Sequence, residues 1–311
     1  MLALETESLC RDFKNVQALR DVNLQVPAGA VFGFLGPNGA GKTTMIRLLL
    51  GLLQPTAGRA RVLGLDTIDQ AGEIRELTGA LLEHAGIYER LTAEENLQFF
   101  GRIYHLGKAD LQARIAELLT HFGLYERRRE RAGIWSRGMK QKLAIARTLL
   151  HRPQVVFLDE PTASLDPVAA AGLREDILNL ARREGVTVFL TTHNLAEAEK
   201  VCTLIGVVRQ GRLLAVGHPD ELRQQSAGNR AVIHGTNLTS EMTCGLAAFP
   251  EIIGISLENS RLTLNLQLQA HLAPIVQLLV EAGAAIEEIE RPKASLEEVF
   301  LTLVGEDNPD S

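Results

Sequence analysis

The chain has 311 residues, of which 46% are hydrophobic and 23% charged, and its formal net charge is −6 at pH 7. This length accommodates two domains, and the composition is ordinary for a soluble globular protein. The acidic balance argues against a general nucleic-acid binder, so no nucleic-acid partner is predicted. No apolar run approaches the ~18 residues that span a bilayer, so any membrane role must come from a partner. The widely separated Cys10, Cys202 and Cys244 predict buried, reduced thiols in a cytosolic protein.

The first predicted elements lead to a glycine-rich motif. Leu4–Phe13 and Ala18–Val26 alternate between polar and apolar residues, as half-buried strands do. The apolar run Ala30–Leu35 is typical of a buried strand, and Thr44–Leu50 has helical spacing. Between them lies the sequence G-P-N-G-A-G-K-T. Strand, G-x-x-x-x-G-K-T and helix in this order are the phosphate-binding P-loop in its expected context.

The residue types of this loop follow from phosphate chemistry. Glycines let successive backbone N–H groups turn toward one point, and the helix N-terminus adds partial positive charge there. Lys42 can reach the β- and γ-phosphates, and the Thr43 hydroxyl suits Mg²⁺. We therefore predict a nucleoside triphosphate site formed by Gly36, Pro37, Asn38, Gly39, Ala40, Gly41, Lys42 and Thr43.

The segment after the P-loop helix returns to strands and then becomes helical. Arg59–Leu63 and Ala80–Leu82 are short predicted strands, and the second ends at Glu83. From Thr92 onwards amphipathic helices prevail, and the first of them starts with a capping box. We therefore predict a helical subdomain over about residues 84–150, inserted between two halves of a strand–helix domain.

The strand–helix alternation then resumes and closes the first predicted domain, an α/β domain of residues 1–225. Its remaining elements are the strand Val155–Leu158, the helix Ala169–Glu184, the strand Val186–Thr191, a hairpin of Leu204–Arg209 with Leu213–Gly217, and the helix Pro219–Gln225. Ser226–Asn229 is the candidate boundary between the domains, because small and polar residues cluster there.

A small α+β domain is predicted over residues 230–311. Its predicted elements are the strands Ala231–His234, Ile252–Glu258, Arg261–Leu268 and Ala285–Glu290, and the helices Thr239–Ala248 and His271–Ala282. The resulting order βαββαβ is that of the ferredoxin-like arrangement, with a final helix appended at Ser295–Val304. No catalytic constellation occurs here, so we predict a small regulatory or interaction domain.

An acidic pair follows the predicted strand Val155–Leu158. Asp159, at the strand end, can hold Mg²⁺ directly or through water. Glu160, one residue on, points elsewhere and can take a proton from an attacking water as general base. Downstream of a P-loop this pair is a strong signal of nucleotide hydrolysis. For Phe13, the sequence leaves core packing and adenine stacking equally open.

Further motifs resemble a known family. Trp135–Gln141 precedes the acidic pair, Pro161–Asp166 follows it, and Thr191–His193 comes later. Over about residues 4–225, these motifs in this order resemble the nucleotide-binding domain of ABC transporters. The signature tract, Gly86–Thr92 and the tail Ser295–Phe300 look like the ATPase subunits of ABC-2-type exporters, which include drug, antibiotic and sodium efflux systems.

The resemblance implies a role for each matching residue. Within one subunit, it assigns adenine stacking to Phe13, phosphate binding to Gly36–Thr44, metal binding to Thr43 and Asp159, and general-base catalysis to Glu160. Lys42 and the switch histidine His193 are expected to contact the γ-phosphate. Ser136 and Gly138 are expected to contact the ATP of the opposite subunit, and Asp166 matches the D-loop aspartate at the same interface. It also implies ATP and Mg²⁺ as cofactors, an ATP-bound dimer, a separate transmembrane permease, and a location at the cytoplasmic face of the membrane.

The chain departs from the family pattern at three places. Trp135, Arg137 and Met139 replace three of the five residues of the usual signature Leu-Ser-Gly-Gly-Gln, while Ser136 and Gly138 are retained. The adenine-stacking position is a phenylalanine rather than the commoner tyrosine. Glu83 occupies the place of a glutamine, and its carboxylate is expected to bind Mg²⁺ and to add a negative charge near the triphosphate.

Two other functions use the same motifs. One is a soluble, ATP-switched module resembling the ABC proteins that act on ribosomes; those usually carry two such domains, whereas this chain has one P-loop and one signature. The other is the ATPase of an importer, with the same chemistry and the opposite direction of transport. The cargo is not encoded in these residues, because the membrane subunit binds it.

Overall fold

The computed structural model describes residues 1–83, 85–163, 165–226, 229–267, 271–290 and 297–300. The chain divides into two compact units, Met1–Pro219 and Asp220–Ser311. This division lies N-terminal to the predicted boundary at Ser226–Asn229, of which Ala227 and Gly228 are outside the described residues.

The first unit contains the elements predicted for residues 1–225 except the helix Pro219–Gln225, nearly all of which falls in the second unit, and it contains a few more. They are β1 (Leu2–Phe13), β2 (Val16–Pro27), β3 (Val31–Leu35), α1 (Lys42–Leu49), β4 (Ala57–Val62), β5 (Leu65–Asp66), α2 (Ala71–Leu77), β6 (Thr78–Leu81), α3 (Ala93–Ile103), α4 (Lys108–His121), α5 (Arg137–Thr148), β7 (Val155–Asp159), α6 (Pro167–Glu184), β8 (Thr187–Thr192), α7 (Leu195–Val201), β9 (Leu204–Arg209) and β10 (Arg212–Gly217). The pattern of α2 was missed because this short helix buries a single residue, Ile74, and so shows no apolar periodicity.

A six-stranded sheet in the order β10-β9-β3-β8-β7-β6 forms the centre of this unit. All neighbouring pairs are parallel except β10 with β9. Every residue of β3, β7 and β8 is buried, as expected for strands covered on both faces. Because parallel strands end at the same edge, the segments that follow β3, β7 and β8 meet there.

A second, antiparallel sheet in the order β2-β1-β4-β5 shares its core with α1. Met45, Ile46, Leu48 and Leu49 of α1 are fully buried, in one cluster with residues of both sheets. Phe189 of β8 packs with the rings of three other phenylalanines at centroid distances of 5.4 to 5.8 Å. The helix that follows the P-loop is therefore fixed from both sides, and the loop is fixed with it.

Helices α3, α4 and α5 form the helical part between β6 and β7. The predicted capping box of α3 is confirmed: Glu95 N donates to Thr92 Oγ1 at 3.2 Å, and Thr92 N donates to the Glu95 carboxylate at 2.8 Å. The Thr92 hydrogen bonds lower the pKa of Glu95. The basic run Tyr125–Arg131 includes a 3₁₀ turn at Tyr125–Arg127.

A buried arginine connects this helical part to α6. The Arg114 side chain on α4 is 2% exposed and donates to both carboxylate oxygens of Glu184 at 2.6 and 2.8 Å. It also donates to Glu117 at 2.9 Å and to the carbonyl oxygen of Leu149 at 2.8 Å. In the middle of α6, Asp176 forms an ion pair with Lys142 of α5, with Oδ2 and Nζ 2.8 Å apart.

The second unit begins within α8 (Pro219–Ser226) and continues with β11 (Asn229–Thr236), α9 (Ser240–Leu246), β12 (Ile252–Glu258), β13 (Arg261–Leu266), α10 (Leu272–Glu281) and β14 (Ala285–Glu290). Its antiparallel sheet has the order β12-β13-β11-β14, which is the ferredoxin-like topology. Residues 297–300 of the predicted final helix Ser295–Val304 are helical, and the rest of that helix lies outside the described residues, as does Leu268.

The cysteines correct one expectation from the sequence. Cys202 is buried, and burial raises the pKa of its thiol to about 12, as expected for an inert structural cysteine. Cys10 is half-buried, and Cys244 is exposed rather than buried. The exposure of Cys244 was not predictable from composition, because it depends on which face of α9 packs against the sheet.

Candidate nucleotide-binding site

The P-loop turns sharply between β3 and α1, and two of its glycines are sterically required. Gly41 has a φ of 103°, and a Cβ there would lie 2.4 Å from the carbonyl oxygen of Ala18. A Cβ on Gly36 would lie 2.3 Å from the carbonyl oxygen of Val208. The neighbouring strands therefore approach too closely for any side chain, and the loop backbone can turn its N–H groups toward a ligand.

Lys42 is almost fully buried at the start of α1. Its Nζ donates to the carbonyl oxygens of Gly36 at 2.7 Å and Pro37 at 3.2 Å. The same ammonium lies 3.2 Å from Glu160 Oε1. The lysine is thus held over the loop next to the carboxylate that was predicted as the general base.

Two hydroxyls and one carboxylate connect the P-loop to β8 through hydrogen bonds. Thr43 Oγ1 donates to Asp159 Oδ2 at 2.7 Å. The other carboxylate oxygen of Asp159 accepts from Thr191 Oγ1 at 2.5 Å. Asp159 is buried, so these two hydrogen bonds compensate for the loss of water around its carboxylate.

Glu160 lies at the end of β7, beside the first residue after β8. Its φ of 50° is a left-handed conformation that few non-glycine residues adopt. The Glu160 backbone N–H donates to both the carbonyl oxygen and the hydroxyl of Thr191, each at 3.1 Å. Its Oε2 lies 2.8 Å from His193 Nδ1, so the carboxylate sits between the histidine and Lys42.

These groups surround a cavity of about 500 Å³. Its lining includes most of the predicted site residues and several others: Val16, Ala18, Asn38, Gly39, Gly41, Lys42, Thr43, Thr44, Leu82, Glu83, Arg137, Gln141, Asp159, Glu160 and Ala163. His193 lines an adjoining hollow of about 600 Å³ together with Glu160. The structure thus brings the P-loop, the acidic pair, Glu83 and the histidine to one edge of the sheet.

Phe13 is not among the residues that line this cavity. It lies at the end of β1, partly exposed, with the guanidinium carbon of Arg11 4.5 Å from its ring centroid. The cavity is lined instead by Val16 and Ala18 of the next strand, β2. Adenine stacking on Phe13 stays a prediction.

The predicted signature and D-loop residues act locally as helix caps. The hydroxyl of Ser136 accepts from Met139 N at 3.3 Å and caps α5, and the carboxylate of Asp166 accepts from Val168 N and Ala169 N and caps α6. A Cβ on Gly138 would lie 3.4 Å from Ala169 Cβ. None of Ser136, Gly138 and Asp166 lines the cavity of their own chain, and their contacts to an opposite subunit stay predictions.

The donor set at the P-loop fits Mg²⁺. Thr43 and Asp159 place a hydroxyl and a carboxylate oxygen side by side, and Glu83 lines the same cavity. In the described part of the chain no three His, Cys, Asp or Glu residues group into a metal cluster. Mg²⁺ uses one or two carboxylates, substrate phosphates and retained waters rather than an all-protein cage, so the Thr43 and Asp159 oxygens fit this ion. Binding of Mg²⁺ by Thr43, Asp159 and Glu83 remains a prediction.

Three residues at the site were not predicted from the sequence. Thr191 connects Asp159 to the Glu160 backbone, because the parallel register of β7 and β8 pairs Asp159 with Thr191. Arg137 and Gln141 reach the cavity from α5, and Gln141 Nε2 donates to the carbonyl oxygen of Pro161 at 2.8 Å. Their spacing of four residues, which places both on one helix face, is the sequence signal that could have revealed them.

We expect Thr191→Val to lower the rate of ATP hydrolysis about tenfold and stability by about 1 kcal/mol, since it removes one hydrogen bond to Asp159 and one from Glu160 N. Thr187→Val is the matched control, because the buried Thr187 hydroxyl accepts from Gly29 N at 2.9 Å at the other end of β8. Turnover and urea unfolding are measured for both variants. Equal turnover in the two would show that Thr191 has a structural role only.

The fold and this edge of the sheet define a P-loop nucleoside triphosphatase with an inserted helical part. The model of the ABC transporter family matches residues 19–163, a segment that runs from before the P-loop to just past the acidic pair. The chain belongs to the ABC transporter family and is one of its ATP-binding proteins. The family predicted from the motifs is therefore confirmed.

Similar proteins extend the match to nearly the whole chain. The chain is 37% identical over 308 residues to the daunorubicin resistance ATP-binding protein DrrA3 of Streptomyces coeruleorubidus, covering 98% of this chain and 96% of that protein. It is 33% identical to the bacitracin transport ATP-binding protein BcrA of Bacillus licheniformis, covering 97% of each. Among solved structures, cbiO1 of Clostridium perfringens, part of the ABC transporter complex cbiONQ, matches with 25% identity and a TM-score of 0.67, covering 72% of this chain and 91% of that one.

Proposed function

We propose that this chain is the ATP-hydrolysing subunit of an ABC-2-type exporter that works with a separate transmembrane permease. The observation that carries the catalytic part is the position of Glu160 between Lys42 and His193, beside the Thr43–Asp159 pair. The exporter part is supported by similar proteins named for daunorubicin resistance and bacitracin transport. None of the helices in the described residues combines the length and apolar character that crossing a bilayer requires, in keeping with a separate permease.

Nucleotide binding uses groups that are already in place. The loop N–H groups and Lys42 hold the β- and γ-phosphates of ATP, and Lys42 exchanges its contact with Glu160 for one with phosphate. Thr43 and Asp159, with Glu83 nearby, would hold Mg²⁺, which would neutralise charge at the phosphate oxygens. The Asp159 carboxylate is kept in one orientation by Thr191, so the metal side of the site is preorganised.

Hydrolysis then needs a base next to the γ-phosphate. A water attacks the γ-phosphorus, the bond to the β–γ bridging oxygen breaks, and the Glu160 carboxylate takes the proton of the water. ADP and inorganic phosphate are the products. His193 Nδ1 lies 2.8 Å from the Glu160 carboxylate, and we propose that it orients this carboxylate and contacts the γ-phosphate.

Two subunits are required to complete each site in this proposal. Ser136 and Gly138 lie at the start of α5 and Asp166 at the start of α6, and neither Ser136 nor Asp166 is buried in its own chain. They are available to contact the ATP and the P-loop of an opposite subunit. ATP thus joins two chains, and its hydrolysis releases them.

The permease is proposed to bind an aromatic patch on the helical part, formed by Tyr88, Phe99 and Ile103. All three side chains are at least two-fifths exposed, and the ring of Tyr88 packs at 5.0 Å from that of Phe99. Tyr88 follows Glu83, which lines the nucleotide cavity, by five residues in the chain. We therefore propose that a movement of Glu83 on binding of the phosphates also moves the patch. In the ABC transporters that this chain resembles, the groove between the core and the helical insertion receives a short cytoplasmic helix of the permease, and we propose such a helix as the occupant of this patch. His84, the first residue of this connection, lies outside the described residues.

We expect Tyr88→Asp to move the protein from the membrane fraction to the supernatant when it is co-expressed with its neighbouring permease, because a carboxylate would enter an apolar interface. Ile68→Asp is the matched control, since Ile68 is 48% exposed and Tyr88 49%, and Ile68 lies outside the patch. Fractionation and the melting temperatures of both variants are measured. Release of both variants alike would contradict the proposed docking site.

Fractionation and vesicle reconstitution distinguish the exporter from the two alternative functions, the soluble switch and the importer ATPase. Wild-type protein that stays in the supernatant with every neighbouring membrane protein, and co-sediments with ribosomes, would favour the soluble switch. Reconstitution in vesicles, with substrate inside or outside, would distinguish an exporter from an importer. The similar proteins that carry functional names favour export.

A further inference from the structure

Glu197, in the first turn of α7, has a carboxylate that binds two other segments of the first unit. Its Oε2 accepts from the hydroxyl of Thr162 at 2.6 Å, and its Oε1 accepts from Arg174 of α6 at 2.5 Å. The side chains of Glu197 and Arg174 are 19% and 16% exposed, so this ion pair is largely shielded from water. Separating two such charges leaves each of them poorly solvated and without a partner, which is unfavourable. The carboxylate therefore holds three segments together.

Two of the segments joined at Glu197 carry groups that are proposed to act in hydrolysis. Thr162 lies two residues after Glu160 in the chain. Asn194 directly follows His193 and caps α7, since its side-chain oxygen accepts from Glu197 N at 3.1 Å. His193 Nδ1 in turn lies 2.8 Å from Glu160 Oε2. Covalent bonds and hydrogen bonds thus form a closed ring that contains the base, the histidine and Glu197.

The surroundings of Glu197 favour this arrangement of its carboxylate. Glu197 lines a small cavity of about 20 Å³ together with four buried apolar side chains, those of Ile177, Leu190, Ala198 and Val201. Apolar side chains offer a carboxylate no hydrogen bond, so its charge must be compensated by Arg174 and Thr162. Glu197 also lines the hollow that contains Glu160 and His193. A change at Glu197 is therefore made close to both of these groups.

We propose that Glu197 is a positioning residue for ATP hydrolysis. By holding Thr162 and the start of α7 together, it keeps the Glu160 carboxylate and the His193 ring in contact. This rests on the proposed function, in which Glu160 takes the proton of the attacking water. Glu197 is not among the residues that line the nucleotide cavity, so it acts through the base and the histidine and not on ATP itself.

The test compares ATP hydrolysis by Glu197→Ala and Thr162→Val with that of the wild type, with phosphate release measured over a range of ATP concentrations. Both variants should lower kcat about tenfold and change KM less than about twofold, since the reacting groups lose their alignment while the phosphate loop is untouched. Glu197→Gln should lie between Glu197→Ala and the wild type, because its amide oxygen can still accept from Thr162. Thr162→Val keeps the Glu197–Arg174 pair, so it tests the proposal even if Glu197→Ala does not fold.

A background without the histidine supplies a measurement that a purely structural role would not change. With His193→Ala already present, Glu197→Ala should lower kcat by less than about a further twofold, because the contact that it maintains is gone. Glu184→Ala is the matched control, since Glu184 is 13% exposed and pairs with the buried Arg114 at the other end of α6. It should lower the melting temperature, as Glu197→Ala does, but keep kcat within about twofold of the wild type.

Three results would overturn the proposal. Wild-type kcat in both Glu197→Ala and Thr162→Val would show that these contacts do not support the reaction. An equal loss of kcat from Glu197→Ala in the wild-type and His193→Ala backgrounds would show that Glu197 acts independently of the histidine. A tenfold loss of kcat in Glu184→Ala would assign the effect to stability. Wild-type protein that hydrolyses no ATP would instead overturn the proposed function itself.

Discussion

Glu160→Gln is expected to lower ATP turnover by about 10²–10⁴-fold while ATP binding is retained, because the amide cannot take the proton of the attacking water. An amide oxygen can stay next to the Lys42 ammonium, which lies 3.2 Å from Glu160 Oε1, and the backbone bonds to Thr191 are untouched, so the site keeps its shape. Steady-state phosphate release measures the turnover. A sizing column with ATP and Mg²⁺ measures the dimer, which should accumulate because the step that releases it is blocked.

The control for this variant is Glu76→Gln, which neutralises an exposed carboxylate on α2 outside the cavity lining. It should hydrolyse ATP like the wild type and show no stable dimer. Wild-type turnover in Glu160→Gln would remove Glu160 from the role of general base. A loss of ATP binding in Glu160→Gln would show instead that its pairing with Lys42 organises the P-loop.

The second large effect is expected on stability. Arg114→Ala should lower the free energy of unfolding by about 3 kcal/mol or more, because it leaves a largely buried carboxylate, Glu184, without its cation. The carbonyl oxygen of Leu149 also loses its donor. Urea unfolding followed by circular dichroism measures the midpoint and slope. Arg114→Lys should recover only part of the loss, since an ammonium cannot reproduce the two-oxygen contact with Glu184.

Arg152→Ala provides the matched control. The Arg152 side chain is 69% exposed and lies 3.9 Å from Glu117, the same carboxylate that Arg114 contacts. Exposed ion pairs contribute about 0–1 kcal/mol, so this variant should unfold close to the wild type. A similar loss of unfolding free energy in Arg114→Ala and Arg152→Ala would show that the burial of Arg114 adds nothing to the packing of α4 against α6.

The P-loop was predictable because its geometry is local. The glycines, Lys42 and Thr43 are contiguous, and the flanking strand and helix show their periods in the sequence. The acidic pair was predictable for the same reason, since it ends an apolar strand. The strand order of the second unit also followed from the order βαββαβ, and it appears in the structure as expected.

The contacts that could not be predicted join elements far apart in the chain. Thr191 reaches Asp159 only through the register of β7 and β8, and no local pattern encodes that register. Arg137 and Gln141 line the cavity of their own chain, and Gln141 donates to the carbonyl oxygen of Pro161, a residue outside its own helix. Phe13, which the family pattern assigns to adenine stacking, lies outside the cavity lining, so that assignment stays a prediction.

Helix α6 spans 18 residues, from a cap at Asp166 to the Glu184 carboxylate that holds Arg114. At 1.5 Å per residue this is a rod about 27 Å long. Its two ends belong to different regions, one at the proposed meeting face of two subunits and the other at α4. If this helix tilts as a rigid body by about 5° about its Asp166 end, the Glu184 end moves by roughly 2 Å. Shifts of this size occur for helices in switching proteins. Two sites without a common side chain can thus move together.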